Sequence, residues 1–216
     1  AGLGKADFGF GSTQIPFPCF EVLSAARKLT NFIRDLYRIP GKVRAVLDIK
    51  EESAGEKTKD ALKADVLPPS MFIGGTRAGS DYISPRIYEK FYHTFYQKII
   101  PLIYEAGSKA HLHNDSDWSG FLKYFREFPR CSCVWDPDHM TPVEKAKETV
   151  GDLMCIEGNI PPSLIAVGTP DECYKYARRI IDTVGDKGLV MAVGCGVPPN
   201  ARRENVEAVI LATLGK

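Results

Sequence analysis

The chain has 216 residues, of which 44% are hydrophobic, and its 28 basic and 27 acidic residues leave a net charge of +1. This size and composition support one large domain or two small ones with a sizeable core. The balanced charge gives no reason to expect nucleic acid or an anionic membrane as a partner, and no stretch is apolar enough to span a bilayer.

The N-terminal residues and the cysteines lead to two further expectations. Residues 1–10 are glycine-rich and lack both an initiator Met and the basic-then-apolar pattern of a signal peptide, so we expect a processed, trimmed or fragmentary chain. A chain of this length does not need disulfides to fold. We therefore expect the six cysteines to be reduced and the protein to be cytoplasmic.

Residues 1–70 are predicted to be an N-terminal helical segment of a single domain that spans 1–216. The apolar positions of 20–37 lie on one face of a helix, which Pro40 ends. A second helix is predicted from about 41 to 64, more charged toward its end.

Residues 71–216 alternate short apolar runs with longer amphipathic stretches, which predicts five βα units. The apolar runs, read as strands, are 71–74, 110–113, 131–135, 153–156 and 189–193. The helical stretches are roughly 85–106, 117–127, 142–150, 170–184 and 202–214. Three helix starts place a hydroxyl residue before a proline, as N-caps do, and the second also has the spacing of a capping box with Glu144: Ser84-Pro85, Thr141-Pro142 and Thr169-Pro170.

Five βα units in series indicate a parallel sheet, which is either doubly wound or a TIM-type (β/α)8 barrel. Every predicted strand runs directly into polar or glycine residues, and a barrel gathers all such ends at one mouth. A doubly wound sheet would concentrate function at one switch point instead, and no GxGxxG or GxxxxGK[ST] motif is present. We therefore predict an α/β barrel, incomplete in this chain because five strands cannot close an eight-stranded barrel.

Five stretches, in order over about 180 residues, resemble the C-terminal part of the uroporphyrinogen decarboxylase superfamily. They are FIRDLYRIPGKV at 32–43, SPRIYEKF at 84–91, HNDSDW at 113–118, GNIPP with GTP at 158–170, and GCGVPPNARRENV at 194–206. The family is built on a (β/α)8 barrel, and its earliest strands have no counterpart here. The resemblance thus implies a truncated barrel or one piece of a split barrel.

The resemblance also favours one branch of the superfamily. Decarboxylases carry a His in the closing motif, where this chain has Cys195, and Cys fits the corrinoid-dependent methyltransferases of anaerobic one-carbon metabolism. That branch implies zinc, a small methylated O-, N- or S-compound as substrate, and cobalamin carried on a partner protein. No DxHxxG motif or cobalamin module occurs in the chain.

Several residues are implied as site residues by these motifs and by the strand ends. His113 and Cys195 match the family's zinc-ligand positions. Asp115 stands where thiol-alkylating members have Cys. The resemblance therefore favours an O- or N-methyl donor over a thiol. His111 faces the same side of its strand as His113 and is an alternative third ligand. Glu157 is a candidate ligand or general base, and Asp115 and Glu157 are the predicted catalytic carboxylates. The residues expected to contact substrate or corrin are Trp118, Asp136 and Asn159.

Each of these interpretations has a structural competitor. The two histidines could be packed and hydrogen-bonded, the glycines beside Cys195 could only make a turn, and Trp118 could belong to the core. Two other functions remain open: uroporphyrinogen decarboxylase, and a non-catalytic partial barrel that binds another subunit. A homodimer or a complementing N-terminal fragment would supply the partner for an open sheet edge.

Overall fold

The computed structural model describes residues 15–185 and 187–215, and this part begins with three helices. They are α1 (Cys19–Arg27), α2 (Leu29–Arg38) and α3 (Pro40–Ala61). Residues 1–14, 186 and 216 lie outside the described part. The long helix predicted at 41–64 is therefore confirmed, with its start one residue earlier and its end three residues earlier.

The single helix predicted at 20–37 is wrong, because the chain breaks at Lys28. This residue takes a positive φ of 65°, and α1 and α2 meet there at an angle. Phe20 and Phe32 would be about 18 Å apart along a continuous helix. In the structure their rings are 4.9 Å apart, edge to face, and both side chains are buried. Aromatic packing across the break thus replaces the helical hydrogen bonds lost at Lys28.

Five strands form one parallel sheet in the order in which they occur in the chain. They are β1 (Met71–Gly75), β2 (Ala110–Asn114), β3 (Cys133–Pro137), β4 (Cys155–Glu157) and β5 (Leu189–Val190). Each strand pairs in parallel with the next, without the reversal of order that marks a doubly wound sheet. The sheet is an arc of a TIM-type barrel, as the sequence predicted.

The helices that follow the strands pack on the outside of this arc. They comprise α4 (Pro85–Tyr88), which continues through a π-helical turn (Glu89–His93) into α5 (Thr94–Glu105), then α6 (Val143–Val150), α7 (Pro162–Val167), α8 (Pro170–Val184) and α9 (Arg203–Thr213). Ser84 caps α4, and Thr169 forms a capping box with Glu172 at α8, which confirms two of the predicted helix starts.

Three local predictions are corrected. The stretch 117–127 contains only a 3-10 helix (Leu122–Glu127), and α7 was not predicted. Thr141 does not cap α6: its hydroxyl accepts from Trp118 N at 2.9 Å and so ties two loops at the mouth of the arc. The strand predicted at 131–135 begins only at Cys133: Cys131 lies outside β3, is exposed and has a positive φ of 62°.

A buried carboxylate ties the first helix to the carboxyl end of β1. The carboxylate of Glu21 on α1 is buried and accepts from the backbone N–H groups of Thr76 and Arg77, each at 3.0 Å, directly after β1. These bonds anchor the helical segment to the strand end.

In the described ranges, every helix is too short or too polar to cross a bilayer.

Candidate functional site at the ends of the strands

Three neighbouring strands deliver ionisable side chains to one end of the arc. His111 and His113 lie on β2, Asp136 lies near the end of β3 in register with His113, and Glu157 ends β4. Because His111 and His113 are two residues apart on a strand, both face the same side of the sheet. They line a cavity of about 590 Å³ together with Asp136, Glu157 and Cys195.

Cys195 comes from the loop after β5, and its position depends on a close approach of two backbones. Gly194 N donates to Ile160 O at 2.9 Å. A Cβ at Gly194 would lie 3.1 Å from His139 N and 3.3 Å from Pro137 O, so glycine lets this loop pack against the loop after β3. Cys195 is thereby held at the mouth, where its side chain is exposed.

The first group of possible metal ligands is His113, Asp115 and Cys195. One donor atom from each, a ring nitrogen, a carboxylate oxygen and the thiol sulfur, lies within 4.8 Å of the other two. His113 Nε2 is 3.3 Å from Asp115 Oδ1. Nitrogen, oxygen and sulfur donors in one small volume match the ligands that zinc takes in catalytic sites.

The other ring nitrogen of His113 is held by Asp136. Nδ1 is 2.5 Å from Asp136 Oδ2, and this contact orients the imidazole so that Nε2 faces Asp115. Carboxylate partners of this kind fix the ring of metal-binding histidines. The hydrogen bonds to Asp115 and Asp136 raise the pKa of His113 to about 11 against the opposing effect of burial. A metal would therefore have to displace a firmly held proton.

The second group is His111, Asp136 and Glu157, deeper in the arc. His111 Nε2 lies 3.3 Å from Glu157 Oε2 and 3.7 Å from Asp136 Oδ2. Burial raises the pKa of Glu157 above its usual range. Burial alone would do the same for Asp136, but hydrogen bonds with His111 and His113 outweigh it and lower the pKa of Asp136. The two carboxylates therefore differ in their proton affinity although they share one histidine.

The rest of the cavity wall is apolar. Its hydrophobic members come from β1, the loop after β4, α7, the segment after β5, and α9, and sequence reasoning did not single them out as site residues: Phe72, Ile160, Ile165, Met191, Ala192, Val193, Val197, Val206, Val209 and Ile210. The Phe72 ring stacks on His113 at 5.6 Å with an interplanar angle of 27°. Within the described ranges, the residues that line the cavity include no Lys or Arg. The site thus joins a polar floor of paired histidines and carboxylates to an apolar wall.

The expectation that Trp118 contacts substrate or corrin is corrected by its burial. Its side chain has no exposed surface and packs among rings such as Tyr92 and Phe125. The indole Nε1 donates to the backbone O of Asp115 at 2.8 Å. Trp118 therefore packs in the core beneath the loop that carries Asp115 and stabilises that loop.

Asn159 likewise lies beneath the cavity. It is 1% exposed, and its Nδ2 donates to Asp138 O at 3.3 Å and to Thr141 O at 2.9 Å. The side chain links the loops after β3 and β4 and is not among the residues that line the cavity. By contrast, His111, Asp136 and Glu157 all line the cavity.

Comparisons with known proteins agree with the barrel and its motifs. The family model for uroporphyrinogen decarboxylase (URO-D) matches residues 11–213. A uroporphyrinogen decarboxylase of Wolbachia sp. subsp. Brugia malayi (strain TRS) is 37% identical over 73 residues, which is 34% of this chain and 20% of that protein. The uroporphyrinogen decarboxylase of Helicobacter acinonychis (strain Sheeba) is 29% identical over 77 residues, which is 36% of this chain and 22% of that protein. The match to each curated relative spans about a fifth of that protein's length.

A solved structure is similar along most of the chain. The methyltransferase from Methanosarcina mazei superposes with a TM-score of 0.72 at 21% sequence identity, over 90% of this chain and 56% of that one. At this identity the likeness is one of fold. This chain therefore has the architecture of slightly more than half of the larger protein.

Proposed function

This chain belongs to the uroporphyrinogen decarboxylase family, and from that premise we propose that it is a methyltransferase. In the proposed reaction, a methyl group moves between a small methylated O-, N- or S-compound and a corrinoid protein with the assistance of zinc. The observation that carries the proposal is the convergence of His113, Asp115 and Cys195 donor atoms within 4.8 Å at the mouth of the arc.

The donor set fits zinc by its chemistry. A thiolate, an imidazole and a carboxylate are all zinc ligands, and three protein ligands leave a position for substrate. Zinc held there would act as a Lewis acid on the heteroatom that carries or accepts the methyl group. Asp115 in place of a second thiolate leaves the bound ion more electrophilic, which favours an O- or N-methyl compound over a thiol.

The protein's own groups have separable tasks in this proposal. Asp136 is a positioning residue, since its Oδ2 fixes the ring of His113 through Nδ1. Glu157 lines the same cavity, where burial raises its pKa, and we assign it as a further metal ligand or as the general base. The apolar wall, with Phe72 stacked on His113, would exclude water from the reacting methyl group. The corrinoid protein would dock at the open mouth beside Cys195.

A second candidate function, uroporphyrinogen decarboxylation, is favoured by the names of the two curated relatives. Its substrate carries several carboxylates, which need cationic partners in the protein. The cavity wall of the described part offers His111 and His113 but no Lys or Arg, and Asp136 and Glu157 add negative charge. Among the described lining residues, therefore, only the two histidines could pair with the carboxylates of such a substrate.

The test is methyl transfer with the zinc-loaded protein. Demethylation of methylcob(III)alamin is followed by visible absorption with thiol, phenolic and amine acceptors, and Cys195→Ser should lower the rate by at least tenfold. Cys131→Ser, at another exposed cysteine, is the matched control and should leave the rate unchanged. Conversion of uroporphyrinogen to coproporphyrinogen, without methyl exchange to any acceptor, would replace this proposal by the second candidate.

A further inference from the structure

The deeper group of His111, Asp136 and Glu157 has the dimensions of a metal site of its own. One donor atom from each residue lies within 4.8 Å of the others. A tetrahedral ion with bonds of about 2.0–2.1 Å to nitrogen and oxygen separates its ligands by roughly 3.3–3.5 Å. The measured separations from His111 Nε2 are 3.3 Å to Glu157 Oε2 and 3.7 Å to Asp136 Oδ2. Only small side-chain movements would be needed to enclose an ion.

The two carboxylates of this group favour a bound cation. Asp136 and Glu157 bring two carboxylates to a cavity whose described lining contains no Lys or Arg. Asp136 is 8% exposed, and its Oδ1 is fully shielded from solvent without a hydrogen-bond partner in the described part of the chain. A buried carboxylate oxygen left in this state is costly unless a proton or a metal ion satisfies it.

The ion in question cannot be the one proposed at the mouth. His113 turns Nδ1 toward Asp136 and Nε2 toward Asp115, at 2.5 Å and 3.3 Å. The two nitrogens of an imidazole direct their bonds away from each other, so an ion on Nε2 lies on the far side of the ring from Asp136. Asp136 then stands between two positions: its Oδ2 holds His113 and also faces His111.

We propose that His111, Asp136 and Glu157 bind a second divalent cation, separate from the zinc proposed at His113, Asp115 and Cys195. One imidazole and two carboxylates are suited to Zn²⁺ or Mn²⁺ rather than to a soft ion such as Cu(I). Asp136 links the two positions as a ligand of the inner ion and as the carboxylate that orients His113. Binding at the inner position does not depend on the methyl-transfer reaction.

Metal stoichiometry tests the proposal. Chelator-stripped protein is reloaded with Zn²⁺, passed through a desalting column and analysed by mass spectrometry for zinc per chain. The expected result is two equivalents for the natural sequence, one for Glu157→Gln, one for Cys195→Ser, and none for the double variant. His111→Gln is a second variant of the inner position, and Glu204→Gln, an exposed glutamate on α9, is the matched control that keeps two equivalents.

Visible absorption of the Co²⁺-loaded protein distinguishes the two positions, because only the position at the mouth has a thiolate ligand. With Co²⁺ in place of zinc, the thiolate-to-cobalt absorption should persist in Glu157→Gln and vanish in Cys195→Ser, while Cys195→Ser retains one equivalent of metal. A single equivalent that is lost in both variants would overturn the second site and leave the mouth site intact. One equivalent that is lost only in Cys195→Ser would also overturn it. No metal in the natural sequence would contradict both proposals.

Discussion

Asn205 on α9 is expected to be a main support of the cavity wall, and its removal should destabilise the protein. The side chain has no exposed surface, and its Nδ2 donates to Gly168 O at 2.9 Å and to Ile165 O at 3.0 Å, beside the end of α7. Ile165 O also accepts from Arg202 N at 3.2 Å, but Gly168 O loses its donor in Asn205→Ala. The loss of these two hydrogen bonds, with Gly168 O left as an unsatisfied acceptor, should lower the free energy of unfolding by about 2–4 kcal/mol.

The assay for this prediction is urea unfolding combined with differential scanning calorimetry. A loss of about 2–4 kcal/mol corresponds to a fall in Tm of roughly 5–15 °C for a chain of this size. Asn205→Asp should be worse, because it keeps the shape but turns acceptor oxygens toward carbonyls. Asn200→Ala, at an exposed asparagine of the same segment, should stay within about 0.5 kcal/mol of the natural protein. A loss below about 1 kcal/mol for Asn205→Ala would refute the reasoning.

Three further predictions concern the sheet, pH and metal affinity. Gly75→Ala should cost about 1–3 kcal/mol or more in urea unfolding, since its Cβ would overlap the Tyr92 hydroxyl; unchanged stability would contradict this packing. Burial lowers the pKa of His93 below its usual 6.5, so stability that is present above pH 6.5 is lost as pH falls through the folded value, and His93→Gln should flatten this part of the urea-unfolding profile. Asp136→Asn should weaken Co²⁺ binding about 10–100-fold, as measured from the thiolate-to-cobalt absorption, because it no longer orients His113; an unchanged affinity would remove Asp136 from that role.

The order of strands and helices could be predicted from the sequence because each unit carries its own local signals. The caps at Ser84 and Thr169 and the apolar runs of the strands specify where elements begin and end. The break at Lys28 has no such signal, since neither Pro nor Gly occurs there. It depends on the packing of Phe20 against Phe32, which only the tertiary structure reveals.

The candidate site was predictable where strand ends determine it and unpredictable where loops do. His111 and His113 are two residues apart on β2 and therefore face the cavity together. The position of Glu157 in the cavity wall follows from its place at the end of β4. Trp118 and Asn159 occur in polar loops but turn inward, because the hydrogen bonds of those loops need buried donors. A sequence pattern does not state the direction of a loop side chain.

The central claim is that His113 and Cys195 bind zinc at the mouth of the arc, and anomalous diffraction at the zinc edge tests it most directly. Crystals of the zinc-loaded protein should give a peak within bonding distance of both His113 Nε2 and Cys195 Sγ, with a Zn–S distance of about 2.3 Å. A zinc-loaded crystal with no peak there, or a peak without a sulfur ligand, would contradict the claim.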